Sequence, residues 1–223
     1  MPETETSSTA PLARALLLAL EAPRAALEAA SLGPALPWLA RAPRGDGHPV
    51  LVLPGYLASD ASTRVLRAFL RSLGYTPHGW GLGRNRGPHS ELLGSLRERL
   101  AKVAGDERVS LVGWSLGGVF ARELAKAEPA RVRAVITLGS PFGDREPPPV
   151  PTTAIYSKSD GIVDWQMCRE GAAPHTENIE LVGSHCGLGF HPLALLAIAD
   201  RLAQPEGRWK PFDRSGLRSA VYA

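Results

Sequence analysis

Gly113-Trp114-Ser115-Leu116-Gly117-Gly118 lies between a β-like apolar run, Arg108 to Val112, and a helix-like run, Val119 to Lys126. A serine on so tight a strand-to-helix turn is pushed out of a sheet with its Oγ exposed. The positions two residues to either side must stay small, because helix and strand cross closely there. Gly113 and Gly117 occupy them. The helix that begins after Ser115 also aims unpaired backbone N–H groups and the positive end of its dipole at the space in front of the serine. A turn of this kind needs a parallel sheet beneath it.

Outward from that turn the chain alternates strand and helix. Towards the N-terminus, His48-Pro49-Val50-Leu51-Val52-Leu53 is a compact apolar run closed by Pro54-Gly55, which suits a buried strand and a sharp loop. Ala61 to Leu73 carries apolar residues at helical spacing and ends at Gly74; Tyr75 to Trp80 reads as a second strand and Ser90 to Val103 as a second helix. Beyond the turn come strands at Ala134 to Leu138, Thr152 to Tyr156 and Asn178 to Val182, then a helix from Leu193 to Leu202. The pattern predicts an α/β domain with about six parallel strands and helices on both faces. Residues 48–205 form this core, residues 1–47 an N-terminal helical extension and residues 206–223 a C-terminal tail. Within the extension, helix is expected to about Leu32, followed by a connector of proline, glycine and charge from Gly33 to Gly47.

The 223 residues fit one α/β domain, and 44% hydrophobic with 21% charged residues excludes wholesale disorder. A net charge of +3, with the 25 Lys and Arg spread along the chain, argues against a nucleic-acid partner. No apolar segment is long enough to span a bilayer. The start Met1-Pro2-Glu3-Thr4-Glu5 lacks the basic opening of a secretory signal, so a cytoplasmic location is expected. For residues 11–30 a helix capping the domain is the plain reading, and a peripheral membrane or dimer contact the sharper one. No His/Cys/Asp cluster has metal-ligand spacing, and no cofactor is called for. Cys168 and Cys186 are read either as two reduced thiols or as a bridge between neighbouring loops.

An alcohol is a poor nucleophile near neutral pH, so Ser115 needs a base, and the chain offers six histidines. His185 follows the strand Asn178 to Val182, in Gly183-Ser184-His185-Cys186-Gly187, where a loop at the carboxyl edge of the sheet can bring an imidazole to the serine. The base in turn needs an acceptor on its other nitrogen. Asp160, in Ser157-Lys158-Ser159-Asp160-Gly161, follows the strand Thr152 to Tyr156; its competitor Asp164 sits before Trp165, where an aspartate suits a helix N-cap. Two backbone donors for an oxyanion are expected at Leu116, directly after the serine, and at Tyr56, in the loop after the first strand.

In this order, Ser115, Asp160, His185, the chain resembles an α/β-hydrolase of the bacterial lipase and esterase type over roughly residues 48 to 204. The residues that carry the resemblance are Leu-Pro-Gly-Tyr at 53–56, Gly-Trp-Ser-Leu-Gly-Gly at 113–118, Leu-Gly-Ser-Pro-Phe at 138–142, Ser-Asp-Gly-Ile-Val at 159–163 and Gly-Ser-His-Cys-Gly-Leu-Gly at 183–189. It implies hydrolysis of carboxylic esters through an acyl-serine, with acyl transfer or thioester cleavage as the alternative; for the latter, Arg84, Arg86 and Lys158 are candidates for a basic entrance. One departure stands out. The lid commonly inserted in this fold would fall between Leu138 and Thr152, where only thirteen residues lie, five of them proline. That implies an open, lidless site suited to short-to-medium acyl or polymeric esters. Trp114, Phe142, Trp165 and Leu188 are candidates for an apolar rim, although each taken singly reads as partly core.

Overall fold

The computed structural model describes residues 9–223. Two helices come first, α1 (Thr9–Ala19) and α2 (Glu21–Leu39). Then follow β1 (Pro49–Leu53), α3 (Arg64–Ser72), β2 (Thr76–Gly79), α4 (Leu92–Ala104), β3 (Val109–Trp114) and α5 (Leu116–Ala127). The second half adds β4 (Val132–Leu138), β5 (Thr152–Tyr156), β6 (Thr176–Glu180) and α6 (Pro192–Leu202). All six strands join one parallel sheet in the order β2-β1-β3-β4-β5-β6.

The strand period of two divides the apolar residues between two cores. On β1, Val50 and Val52 face α2, α3 and α6, packing with Leu39, Leu66, Leu70 and Ile198. Leu51 and Leu53 face α4 and α5, packing with Leu96, Leu100 and Leu124. Each of these leucines is removed from water and contributes about 1.5–3 kcal/mol of transfer free energy. Both faces of the sheet are thus covered, as a parallel sheet requires.

Two differences from the sequence reading, in α2 and β6, have physical causes. α2 does not stop near Leu32 but runs through Pro34 and Pro37 to Leu39. Both prolines lie on its exposed side, while Leu32, Ala35 and Leu39 join the core cluster that contains α6, so packing outweighs the lost backbone bonds. β6 begins at Thr176, two residues earlier than expected, and Val182 is exposed. Its polar residues are satisfied by α6 and the C-terminal segment: Glu177 accepts from Arg201 and from the Phe212 amide, and Glu180 exchanges backbone bonds with Ala223. The rim candidates are mostly core, in line with the plain reading of each. Phe142 and Leu188 are core residues and Trp165 stacks on Tyr156, whereas Tyr56, Leu57, Ile162 and Met167 are the exposed apolar side chains of the surrounding loops.

Between β4 and β5 the chain forms neither helix nor strand. Arg122, fully buried on α5, fastens this connector by donating to the carbonyls of Arg145 and Glu146 and lying 3.8 Å over the Phe142 ring. Its charge is met by the buried carboxylate of Glu170. Burial still lowers the guanidinium pKa to about 10.

Candidate active site

Ser115 sits where β3 passes into α5 with φ 53° and ψ −125°, a region that L-residues rarely occupy. Its amide donates to Leu138 O at 2.8 Å, and its carbonyl accepts from Gly118 at 2.9 Å. The surroundings enforce this geometry. A Cβ on Gly117 would lie 2.3 Å from the Leu53 carbonyl oxygen, and one on Gly113 would lie 2.3 Å from Gly118 Cα. Ser115 itself is only half-buried.

Asp160 and His185 stand at the carboxyl ends of β5 and β6, as expected, and meet there. The His185 Nδ1 to Asp160 Oδ2 distance is 2.6 Å, with both residues buried. The other oxygen, Asp160 Oδ1, accepts from the amides of Ile162 at 2.8 Å and Val163 at 2.7 Å. Asp164 plays a different part. It caps the short 3₁₀ turn Trp165–Cys168, accepting from Gln166 N.

The imidazole lies beside the serine turn rather than elsewhere on the edge. Trp114 Nε1, from the residue before Ser115, donates to His185 O at 3.1 Å. Gly139, which follows the residue that accepts the Ser115 amide, leaves room for the ring: a Cβ there would lie 3.1 Å from His185 Nδ1 and 3.2 Å from Asp160 Oδ2. No hydrogen bond joins Ser115 Oγ to His185 in the resting structure. Resting sites are often looser than sites with substrate bound.

The loop after β1 closes the opposite side. Gly55 packs so near that its Cβ would be 3.2 Å from Ser115 Cβ. Among the described residues the amides of Tyr56 and Leu116 donate to no backbone carbonyl; the first lies in the loop after β1, next to Gly55, and the second directly follows Ser115. Leu57, next in the loop, is held at φ 58° while its amide donates to Asn85 O at 2.7 Å. Asn85 is fully buried and also donates from Nδ2 to Pro54 O.

Several residues of the site were not visible in the motifs. Asn85 is one; a lone Asn in a glycine-rich loop carries no signature. The others lie on α2. Glu21 accepts from the amides of Gly161, His185 and Cys186 at 2.8, 3.0 and 2.9 Å. Arg24 donates to Ser159 O and Oγ at 2.6 and 2.8 Å, and Glu28 accepts from Ser184 N and Oγ at 2.6 and 2.5 Å. Their spacing of i, i+3 and i+7 marks a single polar stripe on a helix otherwise rich in Ala and Leu, and that is the signal available in the sequence.

Both cysteines are free thiols. Burial pushes Cys168 up to about 12, and burial with the neighbouring Glu21 charge pushes Cys186 up to about 11. Among the described residues no three His, Cys, Asp or Glu side chains converge on a point that would hold a metal ion. No helix among them is long and apolar enough to cross a membrane.

An all-parallel sheet carrying a strained serine turn after a central strand, with an acid and a histidine on the loops after later strands, defines the α/β-hydrolase fold, and solved structures agree. The mouse alpha/beta hydrolase domain-containing protein 10 is similar, at 19% identity and TM-score 0.53 over 70% of this chain and 90% of that one. Naproxen esterase from Bacillus subtilis is similar at 12% identity and TM-score 0.53, over 73% and 86%. An α/β serine hydrolase without lid from Xanthomonas campestris reaches TM-score 0.50 at 19% identity, over 81% and 87%. No family model matches the sequence. The chain has the α/β-hydrolase fold in a single-domain form without a lid insertion.

Proposed function

We propose that the protein is a serine hydrolase of carboxylic esters, with Ser115 as nucleophile, His185 as general base and acid, Asp160 as its orienting acid, and the amides of Tyr56 and Leu116 as the oxyanion hole. The observation that carries this reading is the strained serine turn tied through Trp114 to an imidazole whose Nδ1 meets a buried carboxylate at 2.6 Å. With Nδ1–H directed at Asp160, the lone pair of the neutral ring is on Nε2. As Ser115 Oγ attacks the ester carbonyl, Nε2 takes its proton and the carbonyl oxygen becomes an oxyanion facing the two amides. Collapse breaks the bond to the leaving oxygen, which receives the proton from Nε2. Water, deprotonated by the same nitrogen, then attacks the acyl-serine and releases the acid, restoring Ser115 Oγ–H.

The surroundings support short or medium acyl esters as the substrate class. A mostly apolar cleft of about 420 Å³ begins at Leu116 and runs between α4 and α5, lined by Leu93, Leu96, Val119 and Phe120. Such a cleft suits a short or medium acyl chain, and the exposure of Tyr56 and the half-buried Ser115 suit an open entrance.

Arg84 and Arg86 favour a second reading. They line an adjoining cleft of about 420 Å³ that shares His89 and Leu92 with the first, a setting for the phosphate of an acyl-thioester carrier; Lys158 instead pairs with Glu180. Acyl-coenzyme A and p-nitrophenyl esters of equal chain length separate the two, the leading reading requiring the higher kcat/KM on the oxygen esters. A fluorophosphonate should label wild type and not Ser115→Ala. An unlabelled wild type removes the serine-hydrolase reading altogether.

A further inference from the structure

We propose that Glu21 is a positioning residue of this site, a carboxylate on the N-terminal helix α2 that locks the acid loop to the histidine loop. The claim rests on the proposed triad. Its geometric basis is a single side chain spanning two loops: Oε1 accepts from Gly161, the residue after Asp160, and from His185 itself, while Oε2 accepts from Cys186. Glu21 is 4% exposed, so its charge is held by these amides rather than by water.

The arrangement is specific to the two loops that must not drift apart. Past the last ladder pair of β5 and β6, the Leu181 amide donates to Tyr156 O, the Gly183 amide to Ser157 Oγ and Ser159 Oγ to Gly183 O; Asp160 and His185 lie just beyond these bonds, where Glu21 adds its own. Arg24 and Glu28 repeat the connection one turn and two turns further along α2, to Ser159 on the acid loop and Ser184 on the histidine loop. The helix pair is seated closely: a Cβ on Gly161 would lie 2.5 Å from the backbone of Leu17 in α1. α2 thereby acts as a splint across the loops. Its negative end group adds an electrostatic effect, since a second carboxylate close to His185 stabilises the imidazolium formed during proton transfer.

The titratable and charged groups facing Glu21 are Arg24 at 3.9 Å on its own helix, His185 and Cys186 on the histidine loop, and Asp160 beside Gly161 on the acid loop; α1 meets this face through Leu17 and Leu18. Burial alone would raise the Glu21 pKa. The amides of Cys186, Gly161 and His185 together outweigh it and hold the carboxyl below its ordinary value.

The test is Glu21→Gln in the full chain, read by kcat and KM on p-nitrophenyl butyrate, by the His185 imidazole pKa from NMR titration, and by thermal unfolding. Gln keeps the size but removes the charge and turns one acceptor into a donor facing an amide. The expected result is a fall in kcat of about 10- to 100-fold, as for a misplacement of reacting groups by a fraction of an ångström to about 1 Å, with KM changed less than about twofold. The His185 pKa should fall with the loss of the neighbouring negative charge. A kcat within about threefold of wild type, or an unmoved His185 pKa, overturns the proposal. If Glu21→Gln does not fold, Glu21→Asp replaces it: charge is kept and reach shortened, so kcat should fall while the His185 pKa stays near wild type, and an unchanged kcat again overturns it. Should wild type cleave no ester, the functional reading fails, and the NMR shift between wild type and Glu21→Gln still decides the role of Glu21.

Discussion

Exchanging Asp160 for Asn is the most discriminating perturbation of the proposed triad, because the structure dictates which way the amide must face. Asp160 Oδ1 accepts from two backbone amides, Ile162 and Val163, and Oδ2 faces His185 Nδ1. An Asn side chain has one acceptor and one donor end. With its oxygen towards the backbone, both amides stay satisfied and its NH₂ points at the imidazole. The flipped orientation leaves two part-buried amides unpaired, at about 1–3 kcal/mol each where water cannot reach them, to gain one hydrogen bond with a net value of about 0.5–1.5 kcal/mol. The first orientation is favoured across those ranges, by about 0.5 kcal/mol at the least.

That orientation is ruinous for catalysis. An NH₂ donating to Nδ1 makes it the acceptor, so the proton of the neutral ring moves to Nε2, which then has no lone pair for the Ser115 hydroxyl proton. The expected loss in kcat is about 10⁴-fold, the cost of the wrong tautomer in a serine triad. Asp164→Asn is the internal control. Asn caps a helical turn as well as Asp does, so activity and stability should change little, stability by less than about 0.5 kcal/mol. The assay is initial-rate hydrolysis of p-nitrophenyl butyrate, with folding followed by circular dichroism. An Asp160→Asn enzyme within tenfold of wild type, or an Asp164→Asn enzyme more damaged than it, refutes the assignment.

Other outcomes test the support around the site. Gly117→Ala should destabilise by about 1–3 kcal/mol or prevent folding, since its Cβ meets the backbone oxygens of Leu53 and Pro54, whereas Gly94→Ala, with open space around it in α4, should stabilise by about 0.5–1 kcal/mol; urea unfolding compares them. Arg122→Met should cost about 3–5 kcal/mol by stranding the Glu170 charge, and adding Glu170→Met should recover most of it; no recovery would contradict the pairing. Val119→Trp should fill the cleft beside Leu116 and lower kcat/KM on octanoate esters while sparing acetate, so equal losses on both would dissociate that cleft from the acyl chain. Burial is the leading cause that holds His48, His78 and His191 below the ordinary imidazole value. Such groups take up protons in the unfolded chain first, so stability is full above about pH 6.5 and falls as the pH drops towards their folded values. The urea midpoint should therefore be lower at pH 5.5 than at 7.5, and His191→Ser, which supplies a hydroxyl oxygen as N-cap acceptor in place of Nδ1, should lessen the difference.

The sheet was legible because parallel strands buried on both faces read as nearly continuous apolar runs, as Val50 to Leu53 does and Val135 to Leu138 does apart from Thr137. β6 was displaced by two residues because Thr176-Glu177-Asn178 is polar, and the partners that make it a strand, Arg201, Phe212 and Arg214, come from far along the chain. α2 was cut short because Pro34 and Pro37 are strong local punctuation, which a packed face can override. In the site, Ser115, Asp160 and His185 announced themselves by position at strand ends. Glu21 and Asn85 did not, for one shared reason: their partners are backbone atoms. An amide or carbonyl leaves no mark on residue identity, so a side chain that serves it has no covarying neighbour to betray it.

That asymmetry bears on how a lidless site stays ordered. The connector after β4 is stiffened by five prolines and fastened by Arg122, so it offers nothing that can fold over the loops carrying Asp160 and His185. Those loops instead lean on α2, three of whose polar side chains accept from or donate to them, and the contacts of Glu21 and Glu28 run to residues at least 140 positions away in sequence. These polar contacts hold loops that lie beyond the strand ends, and the six-stranded ladder is complete without them. Loss of its contacts is therefore expected to loosen the two loops while leaving β1 to β5 packed, which separates activity from global stability in this chain.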